Sequence, residues 1–250
     1  MIGNVKILTH QGKQYIPDVT TTKLSGIFRG RPEINKENID TKALVALCPT
    51  DAIAANPVRI DLGKCVFCGE CAFAFPEKIK FTTDYKIATN DRNNLIIKEG
   101  ETKNIILNPV LIKKEIANFF NGSLKLRHVS AGSDNSCELE LNACSNVNFD
   151  MSRFGIEFVA SPRHADGIVI TGPITQSMAE PLQICYDAIP TPKIIILAGT
   201  DAISGGIFAD SPAINRRFLE KYQVDLYVPG NPIHPLTFIN GVLELIRKRK

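Results

Sequence analysis

Cys65-Val-Phe-Cys68-Gly-Glu-Cys71 places three thiols at two-residue intervals, and a fourth stands upstream in Cys48-Pro49. Thiolates are soft ligands, suited to zinc and to iron–sulfur clusters rather than to oxygen-seeking ions. Zinc sites of four cysteines are usually assembled from two separate C-x₂-C pairs. The unbroken C-x₂-C-x₂-C run instead wraps one face of a 4Fe–4S cluster. The expectation is one such cluster held by Cys48, Cys65, Cys68 and Cys71, against the alternatives of a zinc site or four small buried hydrophobes. Thr50-Asp51-Ala52-Ile53, following Cys48-Pro49, has the small and apolar character needed where chain wraps a buried cluster.

The losses around these cysteines form a pattern of their own. In bacterial two-cluster ferredoxins each C-x₂-C-x₂-C-x₃-C-P run gives three thiolates to one cluster and its fourth to the other. Two such runs overlie this sequence. The second has Phe75 at its fourth position, followed by Pro76; the first has Asn38, Thr41 and Leu44 at its other three, ahead of Cys48. Under the crossed rule those four replacements are the ligands of a single cluster, and the four surviving cysteines are the ligands of the other. Random loss would rarely remove a complete crossed set. Leu44 and Phe75 are apolar side chains able to fill the vacated volume.

The elements that must position these groups follow from size and patterning. The 250 residues suffice for one large or two ordinary domains, and 44% hydrophobic with 22% charged residues is the balance of a soluble globular chain. A formal net charge of +3 gives no argument for nucleic acid. Cys137, Cys144 and Cys185 are widely spaced and show no disulfide framework, so a reducing cytoplasm is the expected compartment. Met1–Lys6 lacks a basic region followed by an apolar stretch, so no signal peptide is expected. Apolar runs such as Ile194–Ala198 have strand length and cannot span a bilayer, so any work at a membrane is done by docking.

Glycines and prolines punctuate residues 1–30, which read as an irregular arm. Residues 31–95 read as a ferredoxin-like α+β domain carrying the cluster, and residues 96–122 as a linker with a helix through Leu111 to Phe120. From 123 to 250 short apolar strands alternate with helical stretches. Strands are expected at Leu124–Val129, Ile156–Ala160, Gly167–Thr171, Lys193–Ala198 and Val224–Val228, with helices around Glu138–Ser145, Ser177–Ala188 and Leu236–Arg247. The fold class is therefore α/β: a bacterial ferredoxin-like domain followed by a doubly wound, flavodoxin-like parallel sheet. Arg247–Lys250 reads as a solvated helix end, with anionic lipid as the alternative.

In such sheets functional groups gather on loops at the carboxyl ends of strands. Ala131–Glu138, Ser161–His164, Gly199–Gly206 and Pro229–Pro235 are those loops. With Arg153-Phe154-Gly155 and Thr171–Thr175, they resemble the small electron-transfer subunit shared by respiratory complex I and the energy-converting nickel–iron hydrogenases, over about residues 124–245. The N-terminal part resembles the polyferredoxin subunit of the same complexes, so the chain reads as a fusion of two neighbouring subunits. The resemblance implies a cluster site on the rim, whose four cysteine positions are here Asp134, Cys137, Asp201 and Asn231. One thiolate among hard oxygen donors does not suit a cluster, and the rim site reads as degenerate. Cys144 and Cys185 fall on predicted helices as small buried hydrophobes.

Arg153, Arg163 and His164 match family positions facing the relay site and the large subunit, as interface or as scaffold residues. Asp134, Glu138 and Asp201 read as a divalent-ion or proton-handling patch, or as solvated carboxylates. The resemblance implies a non-catalytic electron-transfer subunit of a membrane-associated oxidoreductase complex, with one 4Fe–4S cluster. Its implied partners are a hydrogenase-like or complex I-like large subunit, membrane subunits and a soluble electron carrier, on the cytoplasmic face of the inner membrane. The alternatives are a scaffold subunit that no longer relays electrons, and a self-contained enzyme acting through the rim carboxylates.

Overall fold

The computed structural model describes residues 2–12, 14–112, 116, 120 and 122–246. Most of the helix expected through 111–120, and the basic tail at 247–250, lie outside them. The arm is not irregular from its start, because Ile2–Gln11 forms helix α1. The expected breakers begin only at Gly12, whose left-handed φ of +61° ends the helix. Beyond it, residues 14–30 run as a strap over the rest of the molecule. Ile16 donates its N–H to Asn148 O at 2.8 Å, Val19 O accepts from the Tyr85 hydroxyl at 2.7 Å, and Phe28 stands edge-on to His234 at 4.9 Å.

The cysteine-bearing unit is built from short pieces. Strand β1 (Pro32–Ile34) will pair with a later strand; α2 (Thr41–Ala46) starts at Asp40, whose carboxylate accepts the N–H groups of Lys42 and Ala43. Then come β2 (Ile53–Ala54), β3 (Arg59–Asp61), α3 (Glu70–Ala74), β4 (Ile79–Phe81) and β5 (Ile96–Lys98). β1 and β4 form one antiparallel pair, and β2-β3-β5 an antiparallel three-stranded sheet. Of the four positions that the crossed rule reads as replaced ligands, Leu44 is fully buried and Phe75 packs half-buried against the same core, whereas Thr41 is half-buried and Asn38 exposed.

The second half is an alternating array: β6 (Leu124–Ser130), α4 (Ser136–Ala143), β7 (Ile156–Phe158), β8 (Gly167–Thr171), α5 (Gln176–Asp187), β9 (Ile194–Ala198), α6 (Thr200–Ser204), α7 (Arg217–Lys221), β10 (Leu226–Val228) and α8 (Pro235–Ile246). All five expected strands form, in the order β7-β6-β8-β9-β10, every pair parallel. Numbered within the sheet this is 2-1-3-4-5, the flavodoxin order, whose switch point lies between its first and third strands. β8 and β9 are buried along their whole length, because both faces are covered.

Alternation of side chains divides the core in two. Ile168, Ile170, Ile195 and Leu197 face the side that also buries Ile34, Leu44, Ile60 and Ile79 of the cysteine-bearing unit. Val169, Ile194, Ile196 and Ala198 face the other side, against Leu141 of α4 and the apolar run of α8. The first cluster is thus continuous from one half of the chain into the other. Thr89 also forms an antiparallel bridge with Tyr227 and so covers the edge of β10.

Candidate functional site

Two left-handed positions shape the cysteine loop. Phe67 and Gly69 hold φ values of +52° and +86°. Successive inward N–H groups make a concavity that accepts anions, an arrangement common at iron–sulfur sites. Phe67 N–H points at Cys65 Sγ at 3.3 Å, and Ala52 N–H at Cys48 Sγ at 3.2 Å. Cys48, Cys65, Cys68 and Cys71 line one cavity, walled by Ile53, Ile60 and Phe81. Burial pushes the Cys65 thiol up to about 12 and the Cys71 thiol to about 11, with the other thiols adding to both shifts. Cys68 alone of the four is exposed.

These features fit the cluster that the spacing suggests. Soft donors surround an apolar chamber, and backbone donors are aimed at sulfur. Among the described residues no group of three or more His, Cys, Asp or Glu side chains is arranged to hold a metal ion. Below the site, Asp61 accepts the N–H of Cys65 on its backbone and that of Gly63 at 2.8 Å on its carboxylate. Arg92 grips the same carboxylate bidentately at 2.6 and 2.7 Å. Gly63 has no room for a Cβ, which would lie 2.7 Å from the Arg92 guanidinium carbon and 2.8 Å from Ile203.

The rim of the parallel sheet lies directly beside this loop. Asp134 stands in the β6–α4 loop, Cys137 in the first turn of α4, Asp201 in the first turn of α6 and Asn231 in the β10–α8 loop. Asp134 and Glu138 act electrostatically on Asp201, which with burial as the larger cause is raised to about 6. Cys137 is buried and raised to about 12 by that burial; Glu138 and Asp201 add to the shift, and the Ile233 N–H opposes it. One Asp201 carboxylate oxygen is buried without a partner. Asn231 lines a cleft shared with Phe67, Phe28 and His234. Asp134, Cys137 and Asp201 thus act on one another across the rim, and Asn231 lines a cleft that Phe67 of the cysteine loop also lines.

Glu138 is hydrogen-bonded rather than free. It accepts from Ser133 at 2.8 Å and from Thr171 at 2.6 Å, and the Thr171 hydroxyl also meets His128 Nε2 at 2.9 Å. Arg163 and His164 lie on the turn before β8. Arg153 is taken up by the strap: it donates to Ile16 O and lies over Tyr15 and Phe154. Cys144 is fully buried and Cys185 half-buried, each in or ending a helix.

Sequence reasoning missed the residues that join the two sites. The Thr200 hydroxyl donates to Cys65 O at 2.7 Å, while the Thr200 N–H donates to Gly230 O at 2.9 Å. A threonine after Gly199 carries no spacing signal that could reveal a contact 135 positions away. Arg216 was also missed. Its guanidinium donates to Pro173 O, Asp201 O, Ala202 O and Ile203 O, and so binds two rim loops together.

A flavodoxin-order parallel sheet whose carboxyl-end loops close over buried Cys137 defines an α/β protein with its candidate site on that rim. Residues 135–245 match the family model described as the NADH ubiquinone oxidoreductase 20 kDa subunit. A probable membrane-bound hydrogenase subunit of Pyrococcus furiosus is 36% identical over 134 residues, covering 54% of this chain and 80% of that protein. An NADH-quinone oxidoreductase subunit of Heliobacterium modesticaldum is 37% identical over 161 residues, covering 63% of this chain and 91% of that protein. A chain from an archaeal membrane-bound sulfane sulfur reductase superposes with a TM-score of 0.44 at 28% identity, over 50% of this chain and 69% of that one. The chain belongs to the NADH ubiquinone oxidoreductase 20 kDa subunit family.

Proposed function

We propose that this chain is an electron-transfer subunit of a membrane-associated oxidoreductase complex related to complex I and the energy-converting hydrogenases. Residues 31–95 act as a ferredoxin-like unit of polyferredoxin type, fused to the family's small subunit. Cys48, Cys65, Cys68 and Cys71 hold one 4Fe–4S cluster, which supplies one-electron chemistry at low potential. The four thiols around one apolar chamber, with backbone N–H groups aimed at two of them, carry this reading.

The chain's own groups define two edges of that site. Exposed Cys68 faces solvent, where a soluble carrier would approach, and Phe73 nearby is 86% exposed. Buried Cys65 seats on Thr200 at the rim, where a complex I-like or hydrogenase-like large subunit would lie. Asp134, Asp201 and Asn231 leave the rim without a second cluster. No helix among the described residues is long and apolar enough to cross a membrane, so membrane subunits are the proposed anchor.

Iron and acid-labile sulfide analysis with EPR on anaerobically purified protein tests this. About four irons per chain are expected, and Cys68→Ala should abolish the signal of the reduced protein. Full iron retention in that variant would refute the ligand set. A second reading, a scaffold subunit that no longer relays electrons, is favoured by how closely the rim is packed. Cys137 Sγ lies 2.5 Å from where a Cβ on Gly199 would stand, so little space remains beside the surviving thiol. Reduction of the cluster without onward transfer to the copurified large subunit would select it.

A further inference from the structure

We infer that Arg29, carried in from the N-terminal strap, raises the reduction potential of the proposed cluster by laying its charge against the cysteine loop while holding the Phe67 carbonyl. The inference rests on the four-cysteine reading above. Arg29 Nε–H donates to Phe67 O at 2.6 Å, across 38 residues of sequence. Its Cδ and Nε lie 3.2 and 3.5 Å from where a Gly69 Cβ would stand, so the side chain is laid along the turn between Cys68 and Cys71. Phe67 and Gly69 are the two left-handed positions of the loop, and the Phe67 N–H points at Cys65 Sγ at 3.3 Å. Arg29 thus fixes the peptide after Phe67, the residue for which that conformation is costly.

The ion pairs among the described residues are Lys78–Glu99, Arg92–Asp61 and Lys125–Glu157, and Arg29 is in none of them. Four thiolates make a cubane site anionic in both oxidation states. Reduction adds one electron from the donor and one further negative charge, with no bond broken. A fixed cation beside the loop stabilises the reduced form more than the oxidised form and so raises the potential. Arg29 is exposed, so the effect is moderate and sensitive to salt.

The test is a dye-mediated, EPR-monitored redox titration of the anaerobically reconstituted full chain, with dithionite as reductant. Arg29→Gln keeps a donor for the Phe67 carbonyl without the charge; Arg29→Lys keeps the charge without the planar fork. Arg29→Gln should titrate at more negative potential, so that at the wild-type midpoint the reduced-to-oxidised ratio falls about two- to fivefold. Arg29→Lys should stay near wild type, and the wild-type midpoint itself should drop as salt screens the charge. Equal shifts in the two variants, or a wild-type midpoint for Arg29→Gln at full iron content, would overturn the inference and leave the ligand set standing. A wild-type chain that takes up no iron and sulfide would instead overturn the ligand set, and the inference with it.

Discussion

Replacing Arg216 with Met should destabilise the fold by about 2–4 kcal/mol, because a single guanidinium terminates α6. A helix leaves its last carbonyls without intrahelical donors, and a five-residue helix has few others to share the load. Gly205 N–H takes Asp201 O, and Arg216 takes Ala202 O at 2.8 Å, Ile203 O at 2.9 Å and, more weakly, Asp201 O at 3.3 Å. A fourth contact reaches Pro173 O on the neighbouring loop at 3.2 Å. The two short bonds dominate, and leaving each buried carbonyl unpaired costs roughly 1–3 kcal/mol. Burial lowers the Arg216 pKa, a sign that the buried charge carries its own desolvation cost, and its removal offsets part of the loss. For a chain of this length, the midpoint of thermal unfolding should fall by roughly 5–15 °C, followed by circular dichroism. Arg216→Lys should recover less than half, since one ammonium cannot serve four divergent acceptors. A Met variant within about 0.5 kcal/mol of wild type would show that water replaces the guanidinium freely, and the capping account would be wrong.

Thr200→Val, close to isosteric, should cost about 1–2 kcal/mol by leaving Cys65 O unpaired, and should slow iron uptake on reconstitution; unchanged stability and uptake would mean that the two sites merely touch. Arg92→Ala should cost about 1–3 kcal/mol and lower iron per chain, because the Asp61 carboxylate that orders Gly63 loses its bidentate partner; full iron content at reduced stability would confine Asp61 to a folding role. His234 is lowered by burial to about 4, and its Nδ1 accepts the Leu236 N–H at the start of α8. Its unfolded value is near 6.5, so the unfolded chain binds the extra proton first, and stability is lost as pH falls from about 6.5 to 4. The loss should be about 1–2 kcal/mol after allowance for partial exposure, and His234→Asn, which keeps a capping acceptor, should remove it. Asp201, raised to about 6, has the opposite slope as pH rises through that value, so the measurement is the difference between variant and wild-type urea titrations; parallel curves would refute the His234 assignment.

The local patterns carried the architecture well. Gly167–Thr171 and Ile194–Ala198 are unbroken β-branched and apolar runs, which only strands covered on both faces can bury, and their alternation with helical stretches leads to a doubly wound sheet. Element edges moved by a residue or two, as at Val224–Val228, where the strand starts at Leu226. Spacing also singled out the four cysteines that the structure brings around one cavity, because C-x₂-C-x₂-C is a local property of the chain. The arm failed as an expectation at α1, since Gly12 and Pro17 punctuate only the stretch beyond residue 11.

What tertiary structure alone decided was how the two halves meet. No periodicity in the sequence announces that Leu44 and Ile60 share a core with Ile170 and Leu197, or that Thr89 caps the edge at Tyr227. Thr200, Arg29 and Arg216 are ordinary polar residues in sequence, and they acquire roles only from the carbonyls that the fold places before them. The reason is physical. Thiolate spacing and strand patterning are set by bonds along the chain, whereas an orphan carbonyl and the donor that satisfies it are chosen by packing between segments as far as 135 residues apart.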